Sequence, residues 1–256
     1  MSKVIAVANQ KGGVGKTTTA VNLSSSLAYK GKKVLLLDID PQGNSTSGLG
    51  IDKKNISKST YDVLINDVEI KETLINTPIE NLKVCPSNIE LAGAEVELVS
   101  IISRESRLKN SLEVIKNSFD FIIIDCPPSL GLLTLNSLTA ANTILVPIQC
   151  EYYALEGLSQ LMETVKLVQK HLNKKLDVEG VVLTMFDART NLSIQVVEEV
   201  KKYFRNKVYR TIIPRNVRLS EAPSFGLPII LYDPKSKGAE CYLELADEVI
   251  EYSEEV

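Results

Sequence analysis

A chain of 256 residues with 44% hydrophobic content has enough apolar side chain for a large core, and that length suits one α/β domain spanning 1–256. A net charge of −3 excludes a global attraction to nucleic acid or anionic membrane, so any such binding must come from local charge. Four scattered cysteines, Cys85, Cys126, Cys150 and Cys241, with no CxxC pair argue against a zinc site or disulfide framework, and no segment reaches the roughly 18 apolar residues of a membrane span.

In chain order, the first apolar run, "KVIAVAN" (3–9), is short and leads straight into a glycine loop, so it reads as a strand rather than a signal peptide. "GGVGKTT" (12–18) follows it and opens a helix expected over Thr17–Lys30, with Gly31 as the left-handed residue beyond its end. A glycine loop between strand and helix is a phosphate cradle: Gly12, Gly13, Val14 and Gly15 turn backbone amides inward, Lys16 meets the β- and γ-phosphates, and Thr17 can ligate Mg²⁺. Lys11, at the loop's other end, is one lysine more than such a cradle needs.

The next strand, "KVLLLDID" (33–40), ends in Asp38 and Asp40. Ligands sit at the carboxyl ends of strands in open α/β sheets, so Asp40 is expected to face the phosphates; one of the pair also suits capping the next turn. From Gly43 to about Ser118 the chain makes a long excursion with one expected strand, "NLKVCPS" (81–87), and several helices. "DFIIIDC" (120–126) is an apolar strand ending in Asp125, the form of a Walker B carboxylate that holds the Mg²⁺ shell through water. "TILVPIQ" (143–149), a helix over Ala154–His171, "EGVVLTM" (179–185) and "VYRTIIP" (208–214) complete the alternation, which predicts a doubly wound, mostly parallel sheet with helices on both faces. The single histidine, His171, sits at a helix C-terminus, where a favourable charge accounts for it. Charge is asymmetric: residues 189–218 hold eight Lys/Arg against two Glu, and 239–256 hold seven Asp/Glu and no Lys/Arg.

Together "KGGVGKTT", "DIDPQGNSTSGLG", "IIIDCPPSLGLLTLNSL", "QCEYYALEGLSQL", "TMFDARTNLS" and "IPRNVRLSEAPSFGLPI" resemble the deviant Walker A ATPases, and within them the ParA/Soj partitioning proteins, over essentially the whole chain. The resemblance implies Mg²⁺-dependent hydrolysis of ATP to ADP by a nucleotide-sandwich homodimer. In it Lys11 reaches the phosphates of the partner's ATP, neutralising transition-state charge as an arginine finger does. Asp40 would orient the attacking water and, with Thr17 and Asp125, serve the metal. Thr18 and Gly12 would line the phosphates and the dimer seam, Gly12 staying small because the opposing backbone approaches it. Met185 and Pro214 are similar to residues that flank adenine, and Asn216 joins the nucleotide contacts.

The same resemblance implies non-specific binding of double-stranded DNA by the ATP-bound dimer, a ParB-type centromere-binding partner that stimulates hydrolysis, and a cytoplasmic, nucleoid-associated location. It also implies chromosomal rather than plasmid service, with links to replication initiation or sporulation control. Arg189 and Arg218 are the first candidates for DNA contact. Lys201, Lys202 and Arg205 follow, for which an ordinary solvated helix face is nearly as good an account, and then Lys235 and Lys237. Three rival readings are a MinD-like membrane ATPase, an iron–sulfur protein of the nitrogenase-iron-protein type, and a P-loop ligase or kinase. The acidic tail "LELADEVIEYSEEV" disfavours the first, the isolation of Cys126 disfavours the second, and nothing in the sequence identifies an acceptor pocket for the third.

Overall fold

The computed structural model describes residues 2–151 and 156–254. Its elements run β1 Lys3–Val7, α1 Lys16–Tyr29, β2 Val34–Asp38, α2 Asn44–Gly48, α3 Thr60–Ile65, β3 Ile75–Asn76, β4 Leu82–Cys85, α4 Leu91–Glu97, α5 Arg107–Glu113, β5 Phe121–Asp125 and α6 Leu132–Ala140. Then follow β6 Thr143–Gln149, α7 Glu156–His171, β7 Asp177–Phe186, α8 Asn191–Phe204, β8 Val208–Pro214, α9 Val217–Glu221, α10 Ile229–Tyr232 and α11 Lys237–Glu254. The eight strands form one sheet in the order β3-β4-β2-β5-β1-β6-β7-β8, parallel throughout except for β3 against β4. This is the doubly wound, mostly parallel sheet that the alternation predicts.

Both faces of the sheet are covered, and the strand period of two divides the core accordingly. Ile5, Val7, Leu36 and Ile123 pack on one side with residues of α1, α10 and α11, while Ala6, Leu35, Leu37, Ile122 and Ile124 pack on the other with α3 to α8. From β1 the chain crosses to β2 on one side, and from β5 it crosses to β6 on the other, so the order reverses around β1. The crevice this opens lies at the carboxyl ends of β1, β2 and β5, where all three candidate acidic residues fall.

Helix α1 closes as expected: Gly31, at φ 83°, donates to the Ala28 carbonyl and Lys32 donates to that of Leu27, a complete left-handed C-terminal motif. The excursion from Gly43 departs from expectation by holding two strands. β3 is two residues long, too short for any alternation to show, and it exists because β4 offers it a partner. The expected helix over Ala154–His171 begins outside the described residues; within them it runs from Glu156.

The far edge of the sheet is closed by a side chain. Glu248 of α11, only 4% exposed, accepts from the backbone amides of Arg210 and Thr211 (2.8 Å each) and from the Thr211 hydroxyl (2.6 Å), which satisfies donors that an edge strand otherwise leaves open. Glu248→Ala should cost on the order of 3 kcal/mol in a denaturant titration, because it strands buried donors rather than merely deleting a bond. A loss below about 0.5 kcal/mol would show that water replaces the carboxylate freely.

Candidate nucleotide and metal site

The loop between β1 and α1 is held from two sides. Asn9 accepts from the Lys11 amide (3.0 Å) and donates to the Pro147 carbonyl at the end of β6 (2.8 Å). Thr184 of β7 donates to the Val14 carbonyl (2.9 Å) and lies beneath Gly15, where a Cβ would meet its methyl at 3.7 Å. Gly13 and Gly15 occupy the left-handed region (φ 74° and 88°), which side chains adopt only under strain. No side chain caps the first turn of α1, so its amides are at the disposal of an anion. Lys16 is 7% exposed and donates to the Lys11 carbonyl (2.9 Å). Burial lowers its pKa, and the carboxylates of Asp125 and Asp40 are among the groups that oppose the shift. The loop lysine and the two acidic residues are therefore brought together.

Asp38 and Asp125 are register partners on adjacent parallel strands, which sets two fully buried carboxyl groups side by side. Burial raises both above the ordinary carboxylate range, with repulsion from Asp38 adding to the shift of Asp125 and repulsion from Asp40 adding to that of Asp38. Helix α2 answers them. The Thr46 amide (2.8 Å) and hydroxyl (2.7 Å) donate to Asp38, and the Ser45 hydroxyl donates to Asp125 (2.7 Å). The Thr17 side chain also pulls the Asp125 pKa down. Asp38 thus anchors α2, while Asp40 caps the turn that follows the strand by accepting from the Gln42 amide (2.9 Å). The Asp40 carbonyl is fixed by the Ser87 hydroxyl (2.7 Å).

Asp125 Oδ1 is buried with no hydrogen-bond partner. An acceptor in that condition, beside Thr17 and Lys16, fits a hydrated divalent cation, whose water ligands would supply the missing donors. The residues Thr17 and Asp125 therefore suit the magnesium that the loop calls for.

The other expected nucleotide contacts divide. Lys11 is half-buried and lines, with Cys150, Glu151, Met185, Asp187 and Arg215, a cleft of about 490 Å³ beside the loop. Met185 has a left-handed backbone (φ 52°), rare for a long side chain, and β7 continues one residue beyond it to Phe186, which is in register with Pro214 of β8. Met185 and Pro214 thus stand at the carboxyl ends of neighbouring strands. The Asn216 side chain accepts from the Arg218 amide (2.8 Å), capping α9. Thr18 faces a second cleft with Thr17 and Asn44, and its carbonyl accepts from Asn22 (2.8 Å).

Most cations of the basic stretch are paired, Arg189 and Arg218 with close sequence neighbours and the others across the fold. Arg189 is bidentate to Asp187 (2.9 and 2.7 Å), Arg218 pairs with Glu221 (2.9 Å) and Asp233 (3.5 Å), and Arg215 with Glu151 (2.9 Å). Lys207 pairs with Asp177 (3.1 Å), and Arg210 with Glu248 (3.4 Å) and Glu251 (2.8 Å) of the acidic tail. Among the described residues Lys201, Lys202 and Arg205 remain exposed and without an ion-pair partner, as does Lys235, whereas Lys237 pairs with Glu240 (2.9 Å). The local excess of +6 is therefore a property of the sequence window and not of the surface as a whole.

Sequence reasoning passed over Asn9, Ser45, Thr46, Ser87 and Thr184. Ser45 and Thr46 left a signal, since small hydroxyl residues directly after an aspartate-rich strand end are natural caps. Thr184 left none.

An AAA domain family model matches residues 2–178. Over 249 residues the chain is 68% identical to the sporulation initiation inhibitor protein Soj of Bacillus subtilis, covering 97% of this chain and 98% of that one. It is 57% identical over 250 residues to the chromosome partitioning protein ParA of Myxococcus xanthus, covering 98% and 88%. A solved structure described as cobyrinic acid a,c-diamide synthase from Mycobacterium smegmatis, with bound ADP and magnesium, superposes with a TM-score of 0.88 at 41% identity, covering 99% of this chain and 96% of that one. With the uncapped cradle, the buried lysine and the three carboxylates at two neighbouring strand ends, this likeness along nearly the full length of Soj and ParA means that the chain belongs to the Soj/ParA family of chromosome-partitioning P-loop ATPases.

Proposed function

We propose that the chain acts as a single-domain, Mg²⁺-dependent ATP hydrolase that dimerises around ATP, binds double-stranded DNA without sequence preference as that dimer, and is released when a ParB-type partner stimulates hydrolysis. The observation that carries the reading is the convergence of a glycine cradle, Lys16 and a partnerless buried oxygen of Asp125 at one end of the sheet. Magnesium, when bound, neutralises charge on the β- and γ-phosphates. Lys16 reaches the same phosphates by giving up the Lys11 carbonyl, and Asp40 accepts a hydrogen bond from the attacking water. Lys11 serves the partner's nucleotide. Nucleoid association follows from the DNA step, and links to replication initiation or sporulation control rest on kinship with Soj.

A MinD-like membrane role is disfavoured by α11, whose Leu245, Ala246 and Val249 are buried against the body of the fold and whose last turn has no basic residue. Four buried cysteines at separate places support no cluster. The ligase reading draws on the description of three solved structures at 40–41% identity; the 68% identity with Soj weighs against it. Phosphate release from ATP with no added acceptor, together with DNA binding measured with ATP, ADP and no nucleotide, tests the proposal. ATP-selective binding is expected, and equal binding in all three states would sink it.

Three variants test the parts. Asp40→Ala should abolish turnover while ATP still binds and the dimer accumulates, since a water-orienting group acts mainly in the transition state. A monomer with normal turnover would show that another carboxylate does this work. Gly12→Val should bind ATP but fail to dimerise by light scattering. A Cβ at Gly12 meets nothing within 4 Å in the chain itself, so the fold alone does not require glycine there, and a normal dimer of the ATP-bound variant would remove Gly12 from the seam. Arg189→Ala with Arg218→Ala removes roughly four phosphate contacts per dimer and should reduce the log–log salt slope of DNA binding by about 3 to 4. If the slope is unchanged and Lys201, Lys202 and Arg205 carry the effect instead, the unpaired end of α8 is the surface.

A further inference from the structure

Helix α2 touches both carboxylates of the candidate metal site, yet nothing in α2 itself determines where it sits. It is five residues long, too short to be stable alone, and its N-cap, Gly43, provides no side chain. At its far end the chain meets a different part of the fold. Gly50 (φ 79°) lies against Gly226 (φ 64°), the left-handed residue that ends the turn 222–225 after α9. The approach is backbone on backbone: a Cβ on Gly226 would fall 2.7 Å from Gly50 Cα and 3.6 Å from the Ser47 carbonyl oxygen, and a Cβ on Gly50 would fall 3.0 Å from the Gly226 carbonyl oxygen. Beside this contact Thr17, Thr18, Asn22, Asn44, Ser47 and Pro223 line a cleft of about 250 Å³, so α2 is fixed at its two ends and has open space along its side.

We infer that the Gly50–Gly226 contact is the positioning element of the metal site: the segment that follows α9 sets the place of α2, and α2 sets the Asp125 and Asp38 carboxylates through Ser45 and Thr46. The inference rests on the ATPase reading. The route is a continuous series of direct contacts, from Gly226 to Gly50 and Ser47, along one helix, and then by two hydroxyls to two carboxyl groups. Whatever binds or displaces the 222–226 turn thereby acts on magnesium and on turnover through α2.

Gly226→Ala is the direct test. It should lower kcat about tenfold or more and raise the Mg²⁺ concentration for half-maximal rate, with the KM for ATP changed less than about threefold. Gly31→Ala is its control, since Gly31 has a similar φ of 83° with nothing within 4 Å of a Cβ, and it should leave all three quantities as in the parent. The second arm needs no glycine substitution. On adding Mg-ADP to the parent, hydrogen-exchange protection in residues 43–50 should extend to 222–228, and Ser45→Ala, which leaves the glycine contact intact, should abolish that extension. A parent that hydrolyses no ATP sinks the ATPase reading. Unchanged kcat and Mg²⁺ dependence in folded Gly226→Ala, or protection in the hydrolysing parent that stops at residue 50, overturns the inference alone.

Discussion

The constraint on which the site depends is the register of β2 against β5. Once Val34 is opposite Phe121, Asp38 must be opposite Asp125, and two carboxyl groups share one face at the end of a buried strand pair. Neither is solvated, so each must find donors or a cation within the fold. α2 exists to supply the donors, with Thr46 spent on Asp38 and Ser45 on Asp125. The supply falls one partner short, at Asp125 Oδ1, on the same residue that interacts with Thr17 and Lys16. Structural need and chemical use are thus two parts of a single electrostatic problem, one satisfied by the chain and the other left for the ligand.

The loop is constrained in a complementary way. Its glycines allow close approach, but glycine alone costs order, and the order is restored by side chains from other strands. Asn9 fixes the loop to β6, and Thr184 fixes it to β7. In this structure the Lys16 ammonium closes on the Lys11 carbonyl, a neutral acceptor that holds a buried cation less well than phosphate would. Under the proposed function, exchange of one for the other would accompany nucleotide binding and would free the Lys11 carbonyl.

Much of this was legible in the sequence because it is written in contiguous residues. A glycine loop between strand and helix, an apolar run that ends in Asp125, and Gly31 after a helical stretch each declare themselves within ten residues. What was not legible depends on pairing across the chain. Ser45 finds Asp125 at a separation of 80 residues, and Thr184 finds Val14 at 170. The same cause limits what a charge sum along the sequence can say. A window of eight cations promised a basic face, but Asp177, Glu151 and the acidic α11 were folded against it, and a sum along the sequence cannot see them. β3 failed to show for a simpler reason, since two residues have no period.

Some features have no use inside one chain, and these bear most directly on assembly. Gly12 is surrounded by open space, so neither its own backbone nor a neighbour in the chain requires glycine there. Lys11 has no ion-pair partner among the described residues and borders a cleft instead. Glycine at Gly13 and Gly15 is explained by backbone conformation, and the lysine at Lys16 by its carboxylates. The two residues left over stand next to each other at the mouth of the loop, one removing bulk and the other adding charge. Under the proposed function a second backbone bearing phosphate would use both, and in a nucleotide-loaded homodimer each chain would meet that need for the other.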